Sequence, residues 1–144
     1  MPTEDTINLL KECDAGCKMG IDAIDEVLNY VSNSVFKNLL IVCKNSHSKL
    51  ENEIQELLNS YHDEGKEPNP MAKSMSWLKT NVKMAFDESD QTIADLITDG
   101  CNMGVKSLSK YLNQYKNANE KAKDIAKNLI ILEENLSKDI RQFL

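Results

Sequence analysis

Residues 16–21 read Gly-Cys-Lys-Met-Gly-Ile, and residues 100–105 repeat them as Gly-Cys-Asn-Met-Gly-Val, 84 positions later. The match continues at the same offset beyond the second glycine, through the pairs Ile24/Leu108, Leu28/Leu112 and Asn29/Asn113. Further along, at an offset of 86, His47 corresponds to Glu133. A repeat at a fixed spacing indicates that the chain contains two similar halves.

Both copies lie in segments whose apolar residues recur every three or four positions, which is the period of an amphipathic helix. The first segment begins at a cap residue, Thr3 or Asp5, and runs to about Val31. A break at residues 32–34, Ser-Asn-Ser, supplies the cap of the second segment, which ends near Tyr61. The third and fourth are expected at about residues 90–115 and 119–143. No alternating pattern predicts strands.

These segments predict an all-α fold, a ferritin-like four-helix bundle made of two pseudo-symmetric helical hairpins joined by a long crossover. We expect a single domain, 1–144, with hairpin 1 at 5–61, the crossover at 62–89 and hairpin 2 at 90–144. A short amphipathic helix from Met71 to Phe86 is predicted inside the crossover. The glycine pairs are predicted to let the first and third helices approach closely.

Several short motifs follow one another along nearly the whole chain. They are the two glycine elements at 16–20 and 100–104, a Glu-Ile-x-x-Leu run at 53–57, a Gly-x-Glu-Pro turn at 65–68 and the helix around Trp77. In this order they resemble a family of bacterial ferritin-like four-helix-bundle domains of unknown function. The resemblance implies the fold and no activity.

Composition excludes several classes of partner. With a net charge of -6 and the single arginine Arg141, the chain lacks the basic face of a nucleic-acid binder. It has no basic and apolar leader and no apolar run of about 20 residues, so neither a signal peptide nor a membrane partner is expected. We predict a cytoplasmic protein, with a homo-oligomeric or protein partner left open.

In that compartment the four cysteines are expected to be buried hydrophobes, metal ligands or redox thiols rather than disulfides. Antiparallel pairing in the two hairpins places Cys17 near His47 and Cys101 near Glu133, and the pseudo-symmetry brings both pairs toward the centre. These four residues are the candidate metal ligands. The candidate cluster ligands are Cys13, Cys17, Cys43 and Cys101. Thiolate and imidazole suit zinc, copper(I), iron and iron–sulfur clusters.

Two functions therefore stay open. The first is a metal- or iron–sulfur-binding ferritin-like protein with thiolate-rich ligands inside the bundle. The second is a non-catalytic structural, interaction or stress-related module, whose cysteines pack as small hydrophobes and whose His47 and Glu133 hydrogen-bond to each other. A di-iron enzyme is disfavoured because the Glu-x-x-His pairs are missing and because Glu12 and Glu26 lie off the apolar stripe of the first helix. No catalytic residue is assigned.

Overall fold

The computed structural model describes residues 3–63 and 89–144, and these contain four long α-helices and no strand. The helices are α1 (Glu4–Leu28), α2 (Ser34–Ser60), α3 (Ser89–Gln114) and α4 (Glu120–Asp139), followed by a short 3-10 turn, Arg141–Phe143. The predicted crossover and its short helix fall almost wholly on residues 64–88, outside the described residues. None of the described helices is long and apolar enough to cross a membrane.

Two helices begin at capping residues that the sequence predicts, Thr3 and Asn33, and a third begins after Asn119, which caps it. The Thr3 hydroxyl accepts a hydrogen bond from the Thr6 amide at 3.1 Å, and the Asn119 side chain accepts one from Ala122 at 2.9 Å. The Asn33 side chain accepts from the two amides that open α2. Each bond satisfies an amide that has no partner within its own helix.

Two helices end earlier than the apolar periodicity predicts. At the end of α1, the Tyr30 amide donates to the Val27 carbonyl at 2.9 Å, which tightens the last turn before the chain reverses. At the end of α4, the chain passes into the 3-10 turn, and the Phe143 ring stacks on Phe36 with centroids 4.7 Å apart. The apolar pattern continues through such turns because their side chains still face the core.

Hydrogen bonds at the two ends of the bundle fix the directions of the helices. The amides of Ser32 and Asn33 both donate to the Asp90 carboxylate at 2.8 Å, so the connection between α1 and α2 lies beside the start of α3. At the opposite end the Asn119 amide donates to the Thr6 hydroxyl at 2.8 Å. Consequently α1 and α4 run in one direction, while α2 and α3 run in the other.

The interior divides into two apolar clusters, one toward each end of the bundle. The cluster near the α1–α2 connection is built around Phe36, Leu40, Ile97 and Leu136, and the other around Leu10, Ile54, Ile125 and Leu129. Helix α1 packs along α2 and α3 along α4, and α4 also contacts both helices of the first hairpin. Between the clusters, α2 and α4 each contribute one polar residue.

Candidate functional site

The polar residues between the clusters are His47 and Glu133, which lie at equivalent positions of the two halves. The Nε2 atom of His47 is 2.5 Å from Oε1 of Glu133. The His47 side chain is 1% exposed and that of Glu133 is 13% exposed. The predicted hydrogen bond between these two residues is therefore confirmed.

Both ring nitrogens of His47 carry a hydrogen in this arrangement. Nδ1 lies 2.8 Å from the carbonyl oxygen of Cys43, which can only accept, and Nε2 faces the carboxylate of Glu133. Burial alone lowers the pKa of His47, but the hydrogen bonds and charges of Cys43 and Glu133 outweigh it and raise the pKa to about 10. At neutral pH the pair is an imidazolium and a carboxylate inside the core.

The second glycine of each repeat faces the polar residue of its own hairpin, and at Gly20 the contact is too close for a Cβ atom, whereas at Gly104 it is an ordinary one. A Cβ atom at Gly20 would lie 2.8 Å from Cδ2 and 2.9 Å from Nε2 of His47, and one at Gly104 would lie 3.6 Å from Oε2 of Glu133. An added Cβ at Gly16 would meet only the side chain of Leu129, at 3.4 Å. These three glycines therefore face side chains of α2 and α4, and close approach of the α1 and α3 backbones at the glycines stays a prediction.

Space remains between α1 and α3, where the glycines form the walls of an open cleft with a cavity volume of about 80 Å³. The His47–Glu133 pair lines its floor, and Met19 of α1 and the half-exposed Met103 of α3 also belong to its lining. At Gly100, no described atom lies within 4 Å of an added Cβ. Most of the remaining lining is aliphatic.

A second polar pair, Glu12 and Tyr111, lies at one end of the cleft. The Tyr111 hydroxyl donates a hydrogen bond to the Glu12 carboxylate. Burial raises the pKa of Tyr111 most, and the hydrogen bond to Glu12 and the charge of Glu12 add to the effect, so that the pKa is about 12 and the phenol stays protonated. Glu12 is buried, which corrects the prediction that it lies away from the core. The sequence contains a pattern that indicates this burial, because Glu12 precedes Gly16 and Gly20 by one and two helical turns on the same face of α1.

The four cysteines are all buried and unpaired by disulfides, but they are divided between the two clusters. The Cys43 sulfur lies 3.5 Å from Nδ1 of His47, and the Cys101 thiol donates a hydrogen bond to Glu133. Cys13 and Cys17 belong to the other cluster. Of the four candidate metal ligands, the structure therefore places Cys101 and His47 against Glu133 and leaves Cys17 in the neighbouring layer.

Burial keeps three of these thiols, those of Cys13, Cys17 and Cys101, protonated. It is the first cause that raises the pKa of Cys13, to about 12, and the first cause that raises the pKa values of Cys17 and Cys101 well above the ordinary thiol value. Among residues 3–63 and 89–144, no group of three or more His, Cys, Asp or Glu side chains is placed to hold a metal ion. The thiolate-ligated metal or cluster stays a prediction. To bind these cysteines, a metal would have to displace the thiol protons.

Comparisons with known proteins address the fold. No family model matches the chain, and no curated protein matches it by sequence. Among solved structures, the chain is similar to the crystal structure of a DUF305 fragment from Deinococcus radiodurans, with a TM-score of 0.72 and 10% identity over 98% of this chain and 95% of that chain. At that identity the likeness shows a shared four-helix fold, found also in a domain of unknown function.

Proposed function

We propose that this protein is a binding module that holds a small, largely apolar molecule in the cleft between α1 and α3. The observation that carries the proposal is an aliphatic cleft of about 80 Å³ with glycine walls and a buried ion pair at its floor. Ligand sites are concave and mostly apolar, with a few placed polar groups. The cleft has this composition.

Gly100 supports a functional reason for the open space. Glycine inside a helix is about 1 kcal/mol less favourable than alanine. At Gly20 the His47 ring excludes a larger residue, but at Gly100 no described atom does so. A glycine that the packing of the described residues does not require, at the wall of a cleft, favours a ligand that occupies the space beside it.

The volume and lining of the cleft favour an apolar ligand over water. A cavity needs roughly 15 Å³ on the same scale to hold one water molecule, and that water needs polar partners. Transfer of a ligand's apolar surface from bulk water contributes roughly 25 cal/mol per Å². Met19 and Met103 have flexible side chains that adjust to irregular ligand shapes.

The ferritin-like arrangement is part of the same proposal. It is supported by the helix directions, with α2 ending at one end of the bundle and α3 beginning beside Asp90 at the other. Bundles of this class build their sites from side chains on facing helices. The cleft uses α1 and α3 as walls and residues of α2 and α4 as the floor.

The binding experiment uses the two methionines as reporters. Protein labelled with carbon-13 at the methionine methyl groups is titrated with 1-hexanol, and we expect saturable shifts at Met19 and Met103, which line the cleft. The variant Gly100→Leu should fill the cleft and remove these shifts while keeping the helix, since leucine favours helices over glycine.

The matched control is Asn102→Leu, which adds the same side chain at an exposed position of α3 outside the cleft lining. It should leave the shifts intact. The proposal is wrong if hexanol moves neither methyl signal, or if the shifts persist unchanged in a folded Gly100→Leu protein.

The metal hypothesis has its own test. Protein purified without oxygen is subjected to elemental and sulfide analysis and to visible spectroscopy. The hypothesis predicts stoichiometric metal or a cluster absorbance that disappears when Cys17 and Cys101 are both replaced by serine. Colourless protein without metal or sulfide, with unchanged thermal stability in that double variant, would contradict it and leave the four cysteines as core residues.

A further inference from the structure

The hydroxyl of Ser107, on α3, belongs to the cleft lining and has no hydrogen-bond partner among residues 3–63 and 89–144. The donors near it are engaged within the protein. The Cys101 thiol and the Tyr111 hydroxyl each donate to a carboxylate, and His47 donates from both ring nitrogens. Ser107 is half-buried. Its hydroxyl is therefore the group of the described lining that has a proton to offer a ligand.

Neighbouring serines show where such a proton usually goes. Inside a helix, a serine hydroxyl commonly donates to the carbonyl of the residue four positions earlier. Ser109 does so to Val105 at 2.7 Å, and Ser46 of α2 does so to Val42 at 3.1 Å. Ser107 makes no such bond, so its proton remains available to a group inside the cleft.

A ligand that meets this proton has to accept a hydrogen bond. A carbonyl oxygen accepts one while the rest of the molecule stays apolar, which suits the aliphatic lining. A carboxylate would also accept, but the described lining contains no lysine or arginine, and the His47 imidazolium is already paired with Glu133. A charge that leaves water without a partner is costly. An uncharged acceptor therefore fits the lining better than an anion.

The position of Ser107 sets the direction in which the rest of the ligand lies. Gly104 and Gly100 precede it by about one and two helical turns on the cleft side of α3. The distance from Ser107 to Gly100 is about 10 Å along the helix. No described atom lies within 4 Å of a Cβ added at Gly100. The open space next to the hydroxyl therefore extends toward Gly100.

We infer that the ligand is an uncharged, elongated apolar molecule with one carbonyl oxygen near its end. The carbonyl accepts a hydrogen bond from the Ser107 hydroxyl, and the hydrocarbon chain lies along α3 toward Gly100. This inference rests on the proposed binding function and specifies its ligand class. Ser107 is then the residue that selects a carbonyl compound over a plain hydrocarbon.

The test uses two probes of the same shape, 2-hexanone and 2-methyl-1-hexene, in which a methylene group replaces the carbonyl oxygen. Each is titrated into the full chain, with the methyl signals of Met19 and Met103 as the readout. Ser107→Ala should weaken 2-hexanone about fivefold, the effect of one hydrogen bond between neutral groups, and should change 2-methyl-1-hexene less than about twofold. The alkene reports any change in the shape of the cleft.

The matched control is Ser109→Ala, which removes a hydroxyl from the same helix at an exposed position outside the cleft lining. The Ser109 hydroxyl is engaged with the Val105 carbonyl, so its loss should change neither affinity more than about twofold.

Infrared spectroscopy gives a second readout, which a purely structural role of Ser107 would not move. A hydrogen bond weakens the carbonyl bond that accepts it. The stretching frequency of bound 2-hexanone, labelled with carbon-13 at the carbonyl, should therefore be lower in the wild-type protein than in Ser107→Ala, and Ser109→Ala should match the wild type.

The outcomes separate this inference from the proposed function. If Ser107→Ala weakens both probes equally or weakens neither, the hydroxyl does not bond to the ligand; the ligand class is then wrong and the cleft remains a binding site. Hexanoate bound more tightly than 2-hexanone would also contradict an uncharged ligand. If neither probe shifts Met19 or Met103, the proposed function itself fails.

Discussion

Replacing Glu133 by alanine is expected to lower the free energy of unfolding by about 3 kcal/mol, because it leaves the His47 imidazolium buried without its carboxylate partner. The His47 side chain is 1% exposed, so water does not solvate its charge in the wild-type protein. Urea unfolding at neutral pH measures the change. The double variant His47→Leu with Glu133→Leu should recover much of the loss, because two apolar side chains need no partner.

An exposed ion pair of the same length provides the control. The Lys121 ammonium lies 2.5 Å from the Glu53 carboxylate, with side chains 57% and 40% exposed. Glu53→Ala should lower stability far less than Glu133→Ala does, since water solvates the remaining lysine. Equal losses for Glu53→Ala and Glu133→Ala would show that the buried pair does not stabilise the centre of the bundle as described.

Stability is expected to fall steeply as pH rises above 6.5, with a slope of up to about 1.4 kcal/mol per pH unit. The folded protein raises the pKa of His47 from 6.5 to about 10, so between these values it holds a proton that the unfolded chain releases. The stabilisation is complete below pH 6.5 and is lost as pH rises through 10. Urea unfolding at several pH values measures the slope.

Between pH 6.5 and about 8.5, the slope of stability against pH reports on His47 rather than on the buried thiols. In the unfolded chain the thiols lose their protons only at higher pH. Cys13, Cys17 and Cys101 also have raised pKa values in the folded protein, so they add a loss of the same sign above that window. The control is His47→Gln, which should flatten the slope. A wild-type slope no steeper than that of the variant would contradict the charged pair.

The helices could be predicted from local features of the sequence, and the central pair from the internal repeat. Capping residues such as Asn33 and Asn119 satisfy amides only a few positions away, so their effect depends on nearby sequence. The pairing of His47 with Glu133 followed from the offset of 86 between the halves. Turns such as the one after α4 extend the apolar pattern without extending the helix, which is why that boundary was misplaced.

The cleft could not be predicted in the same way. Glycines four residues apart serve equally for close backbone approach and for an open cavity, and the sequence alone does not tell which atoms Gly20 and Gly100 face. The stripe of apolar residues on α1 leaves Glu12 outside the predicted core, whereas this carboxylate is buried with Tyr111 as a hydrogen-bond partner. Such pairs depend on residues nearly 100 positions apart.

The most direct test of the central claim, that the cleft between α1 and α3 is a ligand site, is an intermolecular nuclear Overhauser measurement on protein saturated with 1-hexanol. We predict contacts from the hydrocarbon chain to the methyl groups of Met19, Met103 and Ile24, all of which line the cleft. Contacts confined to exposed apolar residues of α2, such as Val35 and Val42, would place the ligand elsewhere and contradict the claim.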